Sequence, residues 1–143
     1  MPPEGFRTKA PLQRTSSEMA PVKIRPVIHS IGGPDGSSLR KWTPDDADVV
    51  AVFIALSIGQ KGKKGTSEFY IRVATPRGLQ SLIPEHGIIA VHPLLVIEKY
   101  DFDLVFRWLE NTVASCESYS WLRCVEKLER YFHWEYHREY DPA

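Results

Sequence analysis

Two histidines, three lysines and two cysteines are the residues of this 143-residue chain whose types and spacing first suggest chemistry. His133 and His137 stand at i and i+4, a spacing that lets two imidazoles grip one metal ion on a helix. The zinc-protease pattern HExxH sets its glutamate directly after the first histidine. Here Trp134 intervenes and Glu135 comes one place late, which turns it away from such a metal. No third ligand stands nearby in the sequence, so no metal is expected. The run Gly59-Gln60-Lys61-Gly62-Lys63-Lys64-Gly65-Thr66 has the composition of a phosphate loop. That loop needs its lysine directly before the hydroxyl residue and a helix after it. Gly65 separates Lys64 from Thr66 and strand-like residues follow, which describes a solvated hairpin tip. Cys116 and Cys124 lack CxxC spacing and read as two small core hydrophobes that stay reduced in a cytosolic protein. With no GxSxG elbow and no cysteine in a recognisable histidine setting, the chain is expected not to be an enzyme and to need no cofactor.

The charge balance bounds the partners. Lysine and arginine equal aspartate and glutamate at 18 each, and a net charge of zero argues against nucleic acid as the main partner. The charge is unevenly spread, with 12 basic and 7 acidic residues in 1–80 against 6 and 11 in 81–143. The acidic second half would suit a basic partner, and it would equally serve as solvated surface. No apolar run reaches the roughly 18 residues of a membrane span. The opening MPPEGFRTKA lacks the apolar core of a secretory signal, so a cytoplasmic protein with no membrane partner is expected.

These residues must be positioned by some set of elements. Residues 1–20 are proline-rich and aperiodic and are expected to be disordered or loosely attached, leaving 21–143 as a single domain. Residues 22–31 favour a strand, and Pro26 within it points to a sheet edge. After a loop over 32–38, Thr43-Pro44-Asp45-Asp46 reads as one helical turn feeding a strand over 49–58. That strand is continuously apolar, which predicts burial on both faces. Phe69, Ile71 and Val73 alternate with Tyr70 and Arg72, the period of a half-buried strand. The two strands make a hairpin whose tip carries the lysines. Thr75-Pro76 starts a short helix to about Leu82, and Leu94 to Ile97 adds a strand, with 88–91 a candidate extension. Asp101 and Ser120 each cap a helix, the first with Phe102, Val105, Phe106, Leu109, Val113 and Cys116 on one face. On the second, Trp121, Val125, Leu128 and Phe132 share a face, which makes Trp121 a core anchor. Strands followed by helices predict an α+β fold: an antiparallel sheet of about four strands with two C-terminal helices packed on one face.

Three stretches together carry a resemblance: IALSIGQKGKKGTSEFYIRVATPRGL, LLVIEKYD and SWLRCVEKLERYFHWEY. Over about residues 45–136 the chain resembles the Immunity protein 8 family of bacterial polymorphic toxin systems, in the order and spacing of these pieces. It departs where Ser120-Trp121 is followed by Leu122-Arg123 rather than acids, and where Tyr136 stands in place of a phenylalanine. The resemblance implies a protein that binds a cognate toxin domain in the cytoplasm and neutralises it, as a monomer or weak homodimer. Toxins that attack nucleic acids need basic surfaces, and an acidic blocker is steered onto them. The expected contact residues are therefore Glu126, Glu129, Trp134, Glu135, Tyr136, Glu139 and Asp141. Trp134 and Tyr136 are open to two roles, locking the tail onto the sheet or standing in an interface. The alternative surface is the hairpin tip with Lys61, Lys63 and Lys64, for an acidic toxin or for a nucleic-acid-associated module.

Overall fold

Alternation of apolar and polar residues on either side of the lysine-rich loop builds the centre of the molecule. The structure, a computed structural model, describes residues 22–83 and 87–136. In it β2 (Ala51–Gln60) and β3 (Ser67–Ala74) form an antiparallel hairpin. Its register sets Val52 opposite Val73, Ile54 opposite Ile71 and Leu56 opposite Phe69. Opposed residues of an antiparallel pair share a face, so these six and Ile58 line one side of the sheet. β1 (Pro26–Gly32) pairs antiparallel with β2 and forms an edge, as the proline predicts. A bulge at His29 inserts one residue, which brings both Ile28 and Ile31 round to the apolar side despite their odd spacing.

Two expectations about the approach to β2 are corrected. The Thr43-Pro44-Asp45-Asp46 segment forms no helical turn; the chain turns over Asp46–Val49 instead, with the Asp46 carboxylate accepting from the Asp48 amide and the Asp46 carbonyl from the Val49 amide. Aspartate satisfies its own local backbone there, which competes with helix. β2 is buried on one face only, with Ile54, Leu56 and Ile58 buried and Phe53 exposed. It is central in hydrogen bonding, but helices cover just one side of it.

β3 leads through Thr75 into the short helix α1 (Pro76–Gln80) and on to β4 (Leu94–Val96). β4 pairs parallel with the end of β3, an exception to the otherwise antiparallel sheet that follows from the helical crossover between them. The Thr75 side chain is fully buried and ties three segments together. Its hydroxyl accepts from the amides of Val50 and Gly78 at 3.0 Å each and donates to the Asp48 carbonyl at 2.7 Å. Gly78 lies against Val50, where a Cβ would collide with the Val50 backbone.

α2 (Phe102–Ala114) and α3 (Trp121–Leu128) form the second layer, capped by Asp101 and Ser120 as the sequence predicts. Val105, Leu109, Val113, Cys116, Val125 and Leu128 meet the apolar face of the sheet in one core. After α3 the chain places Phe132 in that core and returns to the sheet as β5 (His133–Trp134). β5 is antiparallel to β3 at Phe69 and Tyr70, on the edge that β4 takes further along. The α+β arrangement with two C-terminal helices on one face is thus the one expected.

Candidate interaction surface

The uncovered face of the sheet is built by the residues that alternate with the core. Across β2 and β3, Phe53 stands opposite Arg72, Ala55 opposite Tyr70 and Ser57 opposite Glu68. Leu94 and Val96 of β4 register with Arg72 and Ala74, and His133 of β5 registers with Tyr70. Phe53 is 56% exposed, a value usual for a solvated residue and not for a phenylalanine in a central strand, and Val96 at the end of the edge strand β4 is 49% exposed. The Arg72 guanidinium lies 4.0 Å from the centre of the Phe53 ring. Its Nε is buried without a hydrogen-bond partner among the described residues. The Ser57 hydroxyl donates to Glu68, and the Tyr70 phenol is pushed up by burial first and then by the nearby Glu68 and Glu135 carboxylates. A raised phenol stays protonated and remains a hydrogen-bond donor. This face offers aromatic, aliphatic and guanidinium groups for contact, the types that dominate binding energy at protein interfaces.

The residues expected to form an acidic contact are divided between two layers. Glu126 lies on α3 and Glu129 is its C-cap, with Arg123, Lys127 and Arg130 interleaved among them along the helix and just past its end. The outer side of that helix is therefore mixed in charge. Trp134, Glu135 and Tyr136 stay together at the β3 edge, the two rings edge-to-face with centroids 5.4 Å apart. Trp134 is half-buried against the core and Tyr136 is exposed. The Glu135 carboxylate accepts from the Glu68 amide, and its own amide donates to the Glu68 carbonyl at 3.0 Å. Both β5 and this pair lock the tail to the sheet. Glu139, Asp141 and His137 lie outside the described residues. His133 sits on a strand, so helical i, i+4 geometry does not apply to it. Among the described residues no group of three or more His, Cys, Asp or Glu side chains could hold a metal ion.

Lys61, Lys63 and Lys64 are exposed at the hairpin tip, as read from the sequence. Sequence reasoning missed their neighbours. Lys23 and Arg25 join Lys61 and Lys63 around a groove of about 620 Å³ that also includes Glu117. Glu117 lies 3.7 Å from Lys23 and 3.6 Å from Arg25, so part of this charge is balanced. The signal was available: an antiparallel strand beginning at Pro26 runs Arg25 alongside the lysine loop, and the Lys61 amide donates to the Arg25 carbonyl. Trp121 is half-buried, packed on the core and lining a small recess with Lys64 and Thr66.

Fold and surface together define a two-layer α+β protein with an aromatic-bearing sheet face that neither α2 nor α3 covers. The family described as Immunity protein 8 matches residues 27–140, and the chain belongs to that family. No curated protein and no solved structure matches it. No helix among the described residues is long and apolar enough to cross a membrane.

Proposed function

We propose that this protein binds one cognate toxin in the cytoplasm of the cell that makes it and blocks that toxin without chemistry of its own. Membership of the family gives the class of partner. The observation that carries the reading of the surface is Arg72 stacked on an exposed Phe53, beside Tyr70 and Val96, on a sheet face that neither α2 nor α3 covers. An exposed aromatic and arginine cluster of this kind supplies interface hot spots. Trp134, Glu135 and Tyr136 border the same face at the β3 edge and extend it. Glu126 and Glu129, on the helix layer, are rim charges that set the rate of encounter more than the lifetime of the complex. The basic tip serves a nucleic-acid partner less well, because Glu117 already balances Lys23 and Arg25.

The test uses the toxin domain encoded beside this gene. The double variant Phe53→Ala, Arg72→Ala is expected to dissociate from that toxin at least about tenfold faster, equivalent to roughly 1.4 kcal/mol. Glu126→Lys with Glu129→Lys is expected to slow association at low salt and to leave dissociation nearly unchanged. Circular dichroism confirms folding of each variant. If the sheet-face variant protects cells and dissociates like the parent, the contact lies elsewhere.

A further inference from the structure

The outer edge of β1 opens onto a groove of about 560 Å³ whose walls include Ile28, Ile31, Arg40, Phe102 and Phe106. One end of this edge is closed where Ile24 bridges to Ser118, and the other where Gly32 bridges to Ser38. Between them, Val27 to Ile31 pairs with β2 on one side and with no other described strand on the other. On the groove's floor Phe102 and Phe106 stack with centroids 5.7 Å apart. The Arg40 guanidinium lies over both rings, 4.7 Å from the first and 5.6 Å from the second. No carboxylate of the described chain pairs with Arg40.

We propose that this groove seats one short extended segment of a partner protein, added as a strand to the outer edge of β1 with an acidic side chain on Arg40. The free edge supplies main-chain hydrogen bonds, and the groove reads the alternate side chains that point into it. Alternation sends residues two apart to the same side. One of them meets Phe102, Phe106 and the two isoleucines and is aliphatic; the other meets Arg40 and is a carboxylate. A guanidinium held over two rings is restrained in position for bidentate pairing with a carboxylate, which a lysine at the same place could not match. A second copy of this chain brings another arginine to the groove in place of an acid, so it is the poorer occupant. The toxin-binding reading names the owner of the segment, and the inference rests on it for that alone.

The test needs no toxin. A random nine-residue peptide library displayed on phage is panned against the full chain and against Arg40→Glu. The wild-type chain is expected to enrich peptides with Asp or Glu two positions from an aliphatic residue. The best peptide should bind Arg40→Glu at least tenfold more weakly and Arg40→Lys at an intermediate level. Bound peptide should slow hydrogen exchange of amides within Val27–Ile31 at least tenfold. Three results overturn the proposal: no enrichment of acids, the same peptides from Arg40→Glu, or protection confined to another surface. Two more do so by naming a different occupant. One is β1 protection that grows with protein concentration, which indicates a second copy. The other is β1 exchange that accelerates when residues 1–21 are removed, which assigns the groove to the chain's own N-terminal stretch.

Discussion

The two faces of the central hairpin are made by the same two strands, yet one is sealed by α2 and α3 and the other is covered by neither helix. Ile54, Leu56, Phe69 and Ile71 are buried under α2 and α3, while Phe53 and Tyr70 from the same strands are exposed and Arg72 beside them is half-buried. A phenylalanine therefore has two meanings here one strand apart. Phe69 holds the fold together, and Phe53 is surplus to it. The difference teaches that hydrophobicity alone does not separate core from contact; the covering layer does.

The largest effect should come from breaking the sealed face. Phe69→Ala is expected to cost about 3–5 kcal/mol in a urea titration, as for other fully buried aromatic truncations. Phe53→Ala should cost under about 1 kcal/mol, since only an exposed ring and its cation–π contact are lost. Equal losses would mean that both faces are load-carrying core and would remove the sheet face as a contact. An intermediate effect is expected for Thr75→Val, which keeps the shape but strands the Val50 and Gly78 amides. A loss of about 2–4 kcal/mol, recovered largely by Thr75→Ser, would show that one hydroxyl fixes where β2 begins and α1 starts. The smallest effect should be none. Deleting residues 1–18 is expected to leave the melting temperature unchanged within error, because their composition offers little apolar area to bury. A clear drop would place that segment on one of the two faces.

Much of the architecture was legible because local chemistry and tertiary demand agree. Asp101 and Ser120 start helices where their side chains accept from the first-turn amides, and Phe69, Ile71 and Val73 alternate as the strand requires. The misreadings fall where distant groups decide. VVAVFIALSI is apolar throughout, and nothing within it tells that only one side of the sheet is covered. For the tail HWEY the sequence leaves open whether Trp134 and Tyr136 lock it to the sheet or stand in an interface, and only the β3 edge at Phe69 and Tyr70 shows that it docks as a strand. The TP at the end of β3, read only as a helix start, gains its second meaning from Asp48 and Val50, some 25 residues earlier. Surface sites were the least legible. Glu126 and Glu135 are close in sequence but one sits on the helix layer and the other is engaged at the strand edge, whereas Phe53 and Arg72 meet only through register.

The two thiols turn this layered construction into a clock. Cys116 and Cys124 are buried and unjoined, both pushed up by burial above the ordinary thiol range, so neither reacts while its surroundings are closed. They report on different doors. The Cys116 thiol donates to the Thr112 carbonyl within its own helical segment, whereas the Cys124 thiol donates to the Ile24 carbonyl, where the chain ahead of β1 crosses the helix layer. An alkylating reagent in excess thus reads the frequency of two separate openings. Labelling at Cys124 that outruns Cys116 would time the peeling of residues 22–25 from Ser118, and equal rates would time the lifting of the whole helix layer.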